Sequence, residues 1–239
     1  MEVIGILIPL SILAVLAILI AVVVYIVTRI RSGEPLVLSF RTILLAYLYL
    51  MSIASLLVFA VGLSTTFKAA FSDLFGREFS YWTPPTARFA PARAVAPGQP
   101  MEPDFKPQPL PEEERERNRR QVERQYQEDL IQGGTLVVAG GLIWALHLYG
   151  RRREEVSEQA SQDFFHKSYL TILLVVFSIV GIIALPVAAY ELLRFFILQP
   201  DEFSSRQPPG ATVGMALVFV PGWMAVLLRV LRRTRLETS

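Results

Sequence analysis

His147 and His166 are the only two histidines of the chain, and there is no cysteine. The absence of cysteine excludes disulfides, thiolate metal centres and cysteine nucleophiles together. Two histidines on neighbouring helices at similar depth are the minimum set for axial ligation of a b-type haem. His147 and His166 are therefore the candidate haem ligands. The competing reading is simpler. The stretch "WALHLYGRRR" sets His147 between Trp144 and Tyr149, beside three arginines. Amphipathic rings collect in this way at a membrane–water boundary. No carboxylate lies near either histidine within an apolar stretch, so no mixed metal site is expected, and the expected cofactor complement is none.

Glu191 and Arg194 stand i, i+3 at the end of an apolar stretch. That spacing suits an ion pair at the membrane boundary, or half of an ion path, since charge near lipid is usually functional. Gly133, Gly134, Gly140 and Gly141, followed by Ala145, form a small-residue run. Such residues let membrane helices approach closely, which marks Gly140 and Gly141 as helix-contact or partner-binding positions. "VAGGLIW" is no phosphate loop, because the Lys-Ser/Thr end is missing. No nucleophile–base arrangement is present, so the catalytic set is empty and the chain is not expected to be an enzyme.

The elements that hold these residues are set by hydropathy. The 239 residues are 53% hydrophobic with a mean hydropathy of +0.44, and only 18% are charged. The apolar residues come in five blocks, Val3–Thr28, Thr42–Phe67, Leu130–Gly150, Ser168–Leu193 and Ala211–Leu228. Each is close to the roughly 20 residues that cross a bilayer. Lipid offers the backbone no hydrogen-bond partner, so each block is predicted to be helical. The first block is too long for a signal peptide and has no small-residue cleavage site behind it. The fold class is an all-α integral membrane protein with five transmembrane helices. Pro186 and Pro221 are predicted kinks.

Arginine and lysine set the orientation. Arg29, Arg31 and Arg41 follow the first block, Arg151–Arg153 and Lys167 the third, and Arg229–Arg235 the fifth. Five spans put all of these on the cytoplasmic side, with the N-terminus out and the C-terminus in. The chain then divides into membrane helices at 1–67, an extracytoplasmic insert at 68–129, and membrane helices with a basic tail at 130–239. The net charge of +2 follows this placement and calls for no nucleic acid. The second and fourth blocks share an aromatic–base start and a Tyr-Leu pair, a weak parallel repeat of helix pairs.

The insert has three parts. "FKAAFSDLFGREFSYW" has apolar residues near helical spacing and is predicted to be an interfacial helix. From Thr83 to Pro111 the chain holds nine of its sixteen prolines. Proline fixes φ and lacks an N–H, so this ribbon favours extended polyproline II. "PEEERERNRRQVERQYQEDL" begins with Pro111 and three acids, which suits a helix N-terminus. Pairs such as Glu113–Arg117 and Glu116–Arg120 attract at i, i+4. A solvated helix leading into the third block is expected.

The passages "YLYLMSIASLLVFAVGL" and "GGLIWALHLYGRRREEVSEQASQDFFHKSYLTILLVV" resemble an uncharacterised family of bacterial polytopic membrane proteins of the Chloroflexota type. Trp144 and His147 match its Trp-x-x-His helix end, and Arg151–Lys167 its charged turn. The resemblance implies paired membrane helices and carries no activity.

These features favour a non-catalytic accessory subunit of a larger complex in the bacterial cytoplasmic membrane, of the respiratory or photosynthetic electron-transfer kind. The proline ribbon cannot bury enough apolar area to order itself. Phe89, Met101, Phe105 and Leu110 are spaced along it as anchors for a partner. The alternatives are a stand-alone transporter or channel and, more remotely, a haem-binding electron carrier.

Overall fold

The computed structural model describes residues 40–83, 87–89, 107–155, 159–198 and 207–237. The first block, Val3–Thr28, lies outside the described residues, as do Met101 and Phe105. The described elements are α1 (Phe40–Phe75), α2 (Arg77–Ser80), β1 (Ala87–Phe89), β2 (Pro107–Pro109), α3 (Glu112–Glu155), α4 (Gln159–Ile197) and α5 (Gly210–Glu237). Four of them, α1, α3, α4 and α5, are long and apolar enough to cross a membrane. The regular structure of the described residues is all-helical apart from the two three-residue strands.

The helices alternate in direction. Tyr47 of α1 lies against His147 of α3, and Lys68 of α1 against Asp129, so α1 and α3 run antiparallel. Tyr49 meets Tyr169 near the start of α4, and Phe79 meets Phe195 near its end, so α4 runs with α1. The start of α5 lies under α2 and the end of α1, where Gly210 abuts Ser80 and Gly214 abuts the Ser64 carbonyl. The arginine-rich end of α3 and the basic end of α5 therefore share one end of the bundle.

Helix α1 is central and uses two faces. Tyr49, Ile53, Leu57 and Ala60 form one buried cluster with Tyr169, Leu170, Leu173, Val176 and Phe177 of α4 and Phe219 and Val226 of α5. The other face carries Ser52, Ser55, Phe59, Gly62, Thr66 and Ala69 at alternating spacings of three and four. Here α3 approaches closely. A Cβ on Gly140 would sit 2.7 Å from the Phe59 nitrogen, and one on Gly133 2.7 Å from Thr66 Oγ1. One on Gly62 would sit 2.6 Å from Leu136 Cβ. The seven-residue step from Gly133 to Gly140 is the repeat that keeps a small-residue seam on one partner along its length. Three α1 hydroxyls bond back into their own helix, Ser55 to the Met51 carbonyl at 2.6 Å, Thr65 to Val61 at 3.0 Å and Thr66 to Gly62 at 2.9 Å, while the buried Ser52 Oγ has no hydrogen-bond partner. Lipid-facing segments need this internal satisfaction.

The predicted interfacial helix is not a separate element. Helix α1 runs unbroken to Phe75, because its charges have partners in α3 and its aromatics pack on Phe79 of α2, which meets Phe195 of α4. It ends at Gly76, whose φ of +92° is a left-handed conformation that a side chain would strain. The single turn of α2 then folds back, and Ser80 Oγ donates to the Lys68 carbonyl at 2.6 Å. The charged helix and the third block do join, as one helix of 44 residues. Its exposed Glu116–Arg120 and Glu113–Arg117 pairs stand at 3.1 and 3.8 Å and contribute little at such exposure. Neither α1 nor α3 is broken between its apolar and its charged part.

Gly140→Ala is expected to lower stability by about 1–3 kcal/mol, because the added methyl meets backbone. Gly134→Ala, where nothing lies within 4 Å, is expected to be neutral or mildly stabilising. Unfolding in detergent micelles followed by circular dichroism compares the two.

Candidate functional site

The densest polar chemistry in the described residues lies where α1 and α3 leave their apolar stretches. Lys68 is the first charge after the apolar part of α1, and Asp129 is the last before the apolar part of α3. Antiparallel packing brings them level, with Lys68 Nζ 2.9 Å from Asp129 Oδ2 and side chains 15% and 14% exposed. Lys68 also lies 4.8 Å from the ring centroid of the buried Tyr81. Burial pushes the Tyr81 phenol well above its ordinary value, and the neighbouring Asp129 carboxylate adds to the effect.

One helical turn further out, the Tyr126 hydroxyl donates to Asp73 Oδ2 at 2.9 Å. The Arg77 guanidinium stacks over the Tyr126 ring at 3.5 Å, reaches Asp73 at 2.8 Å and Glu123 at 3.4 Å, and donates to Ser72 at 2.8 Å. Burial alone would lower the Arg77 pKa. The Tyr126, Glu123 and Asp73 contacts outweigh it, and the net direction is upward. A ladder of phenylalanines flanks this clamp, from Phe67 through Phe71, Phe75 and Phe79 to Phe195 of α4. The clamp joins α1, α2 and α3 by charge and joins them to α4 by ring packing.

The opposite end has its own cation. Arg151 is 7% exposed, and its guanidinium carbon lies 4.7 Å from the ring centroids of both Tyr49 and Tyr169. A guanidinium between two rings gains cation–π attraction that strengthens with desolvation. Arg151 thereby holds the end of α3 to α1 and α4.

The two histidines are kept apart by α1. His147 Nδ1 lies 2.7 Å from the Ile143 carbonyl, and its ring rests on Tyr47 at 5.8 Å. His166 rests on Tyr49 at 6.4 Å. Tyr47 and Tyr49 are two residues apart on a helix, roughly 200° around its axis. The two imidazoles therefore rest on different faces of α1, an arrangement that does not favour their sharing one iron. Among the described residues no group of three His, Asp or Glu side chains is placed to hold a metal.

Glu191 finds a partner in the first turn of α5 and Arg194 one just before it. Glu191 accepts from the Thr212 hydroxyl, and Arg194 donates to Gln207 at 2.7 Å. Both act as ties between α4 and α5. Gly140 is buried on the Phe59 backbone of the same chain, and Gly141 lies beside the Phe59 ring. Leu110 is buried within the chain, 8% exposed. Phe89 lies on β1, which pairs antiparallel with β2. A notch of about 60 Å³ lined by Trp82, Asn118, Gln121, Val122 and Gln125 has room for water but not for an organic substrate. The sequence reading missed the clamp, although its signal was present: Lys68 and Asp129 are boundary charges of consecutive antiparallel spans.

Asp129→Asn would leave the Lys68 ammonium largely desolvated and should cost about 2 kcal/mol. The raised Tyr81 pKa has a defined sign. The unfolded phenol ionises first, so its contribution is intact below the ordinary value of 10.0 and stability falls as pH rises above it. Tyr81→Phe should flatten that alkaline loss, and it should remove one tyrosine that resists ionisation in an ultraviolet titration.

No family model, no curated protein and no solved structure matches this chain.

Proposed function

We propose that the protein is a non-catalytic accessory subunit of a larger assembly in a bacterial cytoplasmic membrane. In this reading the arginine-rich end of the bundle faces the cytoplasm, by the positive-inside rule, and the α1–α3 projection stands on the outer face. The observation that carries the reading is the contrast between the two regions. The apolar parts of α1, α3, α4 and α5 contain no Asp, Glu, Lys or Arg, and the Ser55, Thr65 and Thr66 hydroxyls bond to their own helix. A transport path needs polar groups that converge from several helices. The chain's ionic chemistry is instead spent on holding a projection. Helix α3 is about 66 Å long at 1.5 Å per residue, roughly twice the hydrocarbon thickness. It carries the insert away from the lipid on a braced support, an arrangement suited to docking.

Isolation of the tagged chain in mild detergent, with mass spectrometry and a visible spectrum of the same sample, tests this. A stoichiometric set of larger subunits is expected, and deletion of residues 83–111 should weaken the assembly. A chain that migrates alone would overturn the proposal and direct effort to transport assays.

A further inference from the structure

The two strands of the insert form an antiparallel ladder with Ala87 opposite Pro109, Arg88 opposite Gln108 and Phe89 opposite Pro107. In such a ladder, pairs that exchange both backbone hydrogen bonds alternate with pairs that exchange none. Pro107 and Pro109 have no N–H, so the bonded pair is Arg88–Gln108. It follows that the backbone groups of Ala87 and Phe89 point away from β2, and those of Pro107 and Pro109 point away from β1.

The outer edges of the ladder are therefore unlike. On the β2 side the outward positions are Pro107 and Pro109, and the next residue of that parity is Pro111. This edge presents carbonyls without donors and is closed to a further strand, as proline commonly closes a sheet edge. On the β1 side, Ala87 and Phe89 each present both an N–H and a C=O. Among the described residues, no backbone hydrogen bond outside the ladder reaches either of them. The next residues of that parity are Pro85 and Pro91, so the edge offers two donors bounded by proline.

We propose that the outer edge of β1 is the insert's docking surface, and that its occupant is an extended segment of a different polypeptide, added as a third strand. The inference rests on the accessory-subunit reading and names the chemistry of its contact. Strand addition draws affinity from main-chain bonds at alternate residues, which is the pattern Ala87 and Phe89 offer. A second copy of the chain fits poorly. The antiparallel register that pairs all the outward groups of two β1 edges sets Arg88 opposite its own equivalent, and like charges directly opposite are destabilising. The same register position favours a partner strand with an acid opposite Arg88.

Hydrogen exchange resolved to single amides, on the chain in native membranes and on the chain stripped of its neighbours in detergent, tests the proposal. The Ala87 and Phe89 amides should exchange about tenfold or more slowly in the membranes than in detergent. The Arg88 amide, held by the ladder, should be slow in both. Equal rates for Ala87 and Phe89 in the two samples would overturn the proposal. Protection that grows with the concentration of isolated chain would also overturn it, in favour of a second copy. The variant Ala87→Pro removes an outward donor while the Arg88–Gln108 ladder bonds and the Phe89 ring stay in place. It should release the co-isolated subunits while circular dichroism and the unfolding midpoint stay unchanged, and their retention would count against the docking edge. If no subunits accompany the unaltered chain, the accessory reading itself fails. If they accompany it and the amides are unprotected, only the docking edge fails.

Discussion

The ion pair between Lys68 and Asp129 is the contact on which the rest of the arrangement depends. A charge placed in hydrocarbon costs several kcal/mol, so each helix is held in depth by the first charge at either end of its apolar stretch. Lys68 fixes one end of α1 and Asp129 the corresponding end of α3, and their pairing at 2.9 Å makes the two depths equal. At the other end Arg151 does the same through the rings of Tyr49 and Tyr169. Between them lie residues 130–150, about 31 Å of helix, close to the thickness of the hydrocarbon. With the ends level, Gly133, Gly140 and Gly62 fall where close approach is needed, and the seam between α1 and α3 follows from their small size.

Much of this was legible in the sequence, and the reason is physical. Lipid leaves a long apolar segment one option, so the α1, α4 and α5 blocks could be read from hydropathy alone. Pro111 and Glu112–Glu114 located the start of α3 because helix N-termini favour such residues. The stretch Phe67–Trp82 was misread because its periodicity fits an aromatic face on a membrane surface equally well. What decides is the neighbour, α3, and a local pattern cannot supply a contact made 53 residues away, such as Tyr126 on Asp73. The histidines were read as a pair for a similar reason. Their depth was readable, but the helix standing between them was not.

The prolines show a third case, in which the pattern was visible and its meaning was not. "KPQPLP" reads as a ribbon that avoids regular structure. Its alternation has a different sense once β2 is opposite β1. Every second residue is free to lack an N–H because only the intervening ones face the ladder. The same residues that discourage a helix are compatible with one strand in one register, and they shield its far side.

The seam between α1 and α3 also determines which movements the pair can make. Gly133 and Gly140 stand seven positions apart, so a slip of one repeat would set Tyr126 or His147 where a glycine now meets the α1 backbone. That slip would also draw Asp129 or Arg151 about 10 Å along the helix axis toward the hydrocarbon. Piston motion is therefore closed to this pair. Twisting or tilting, which leaves both anchors at their depth, remains open. A disturbance at the charged tip of the pair would reach the arginine-rich end as a torque, carried by a strut that cannot telescope.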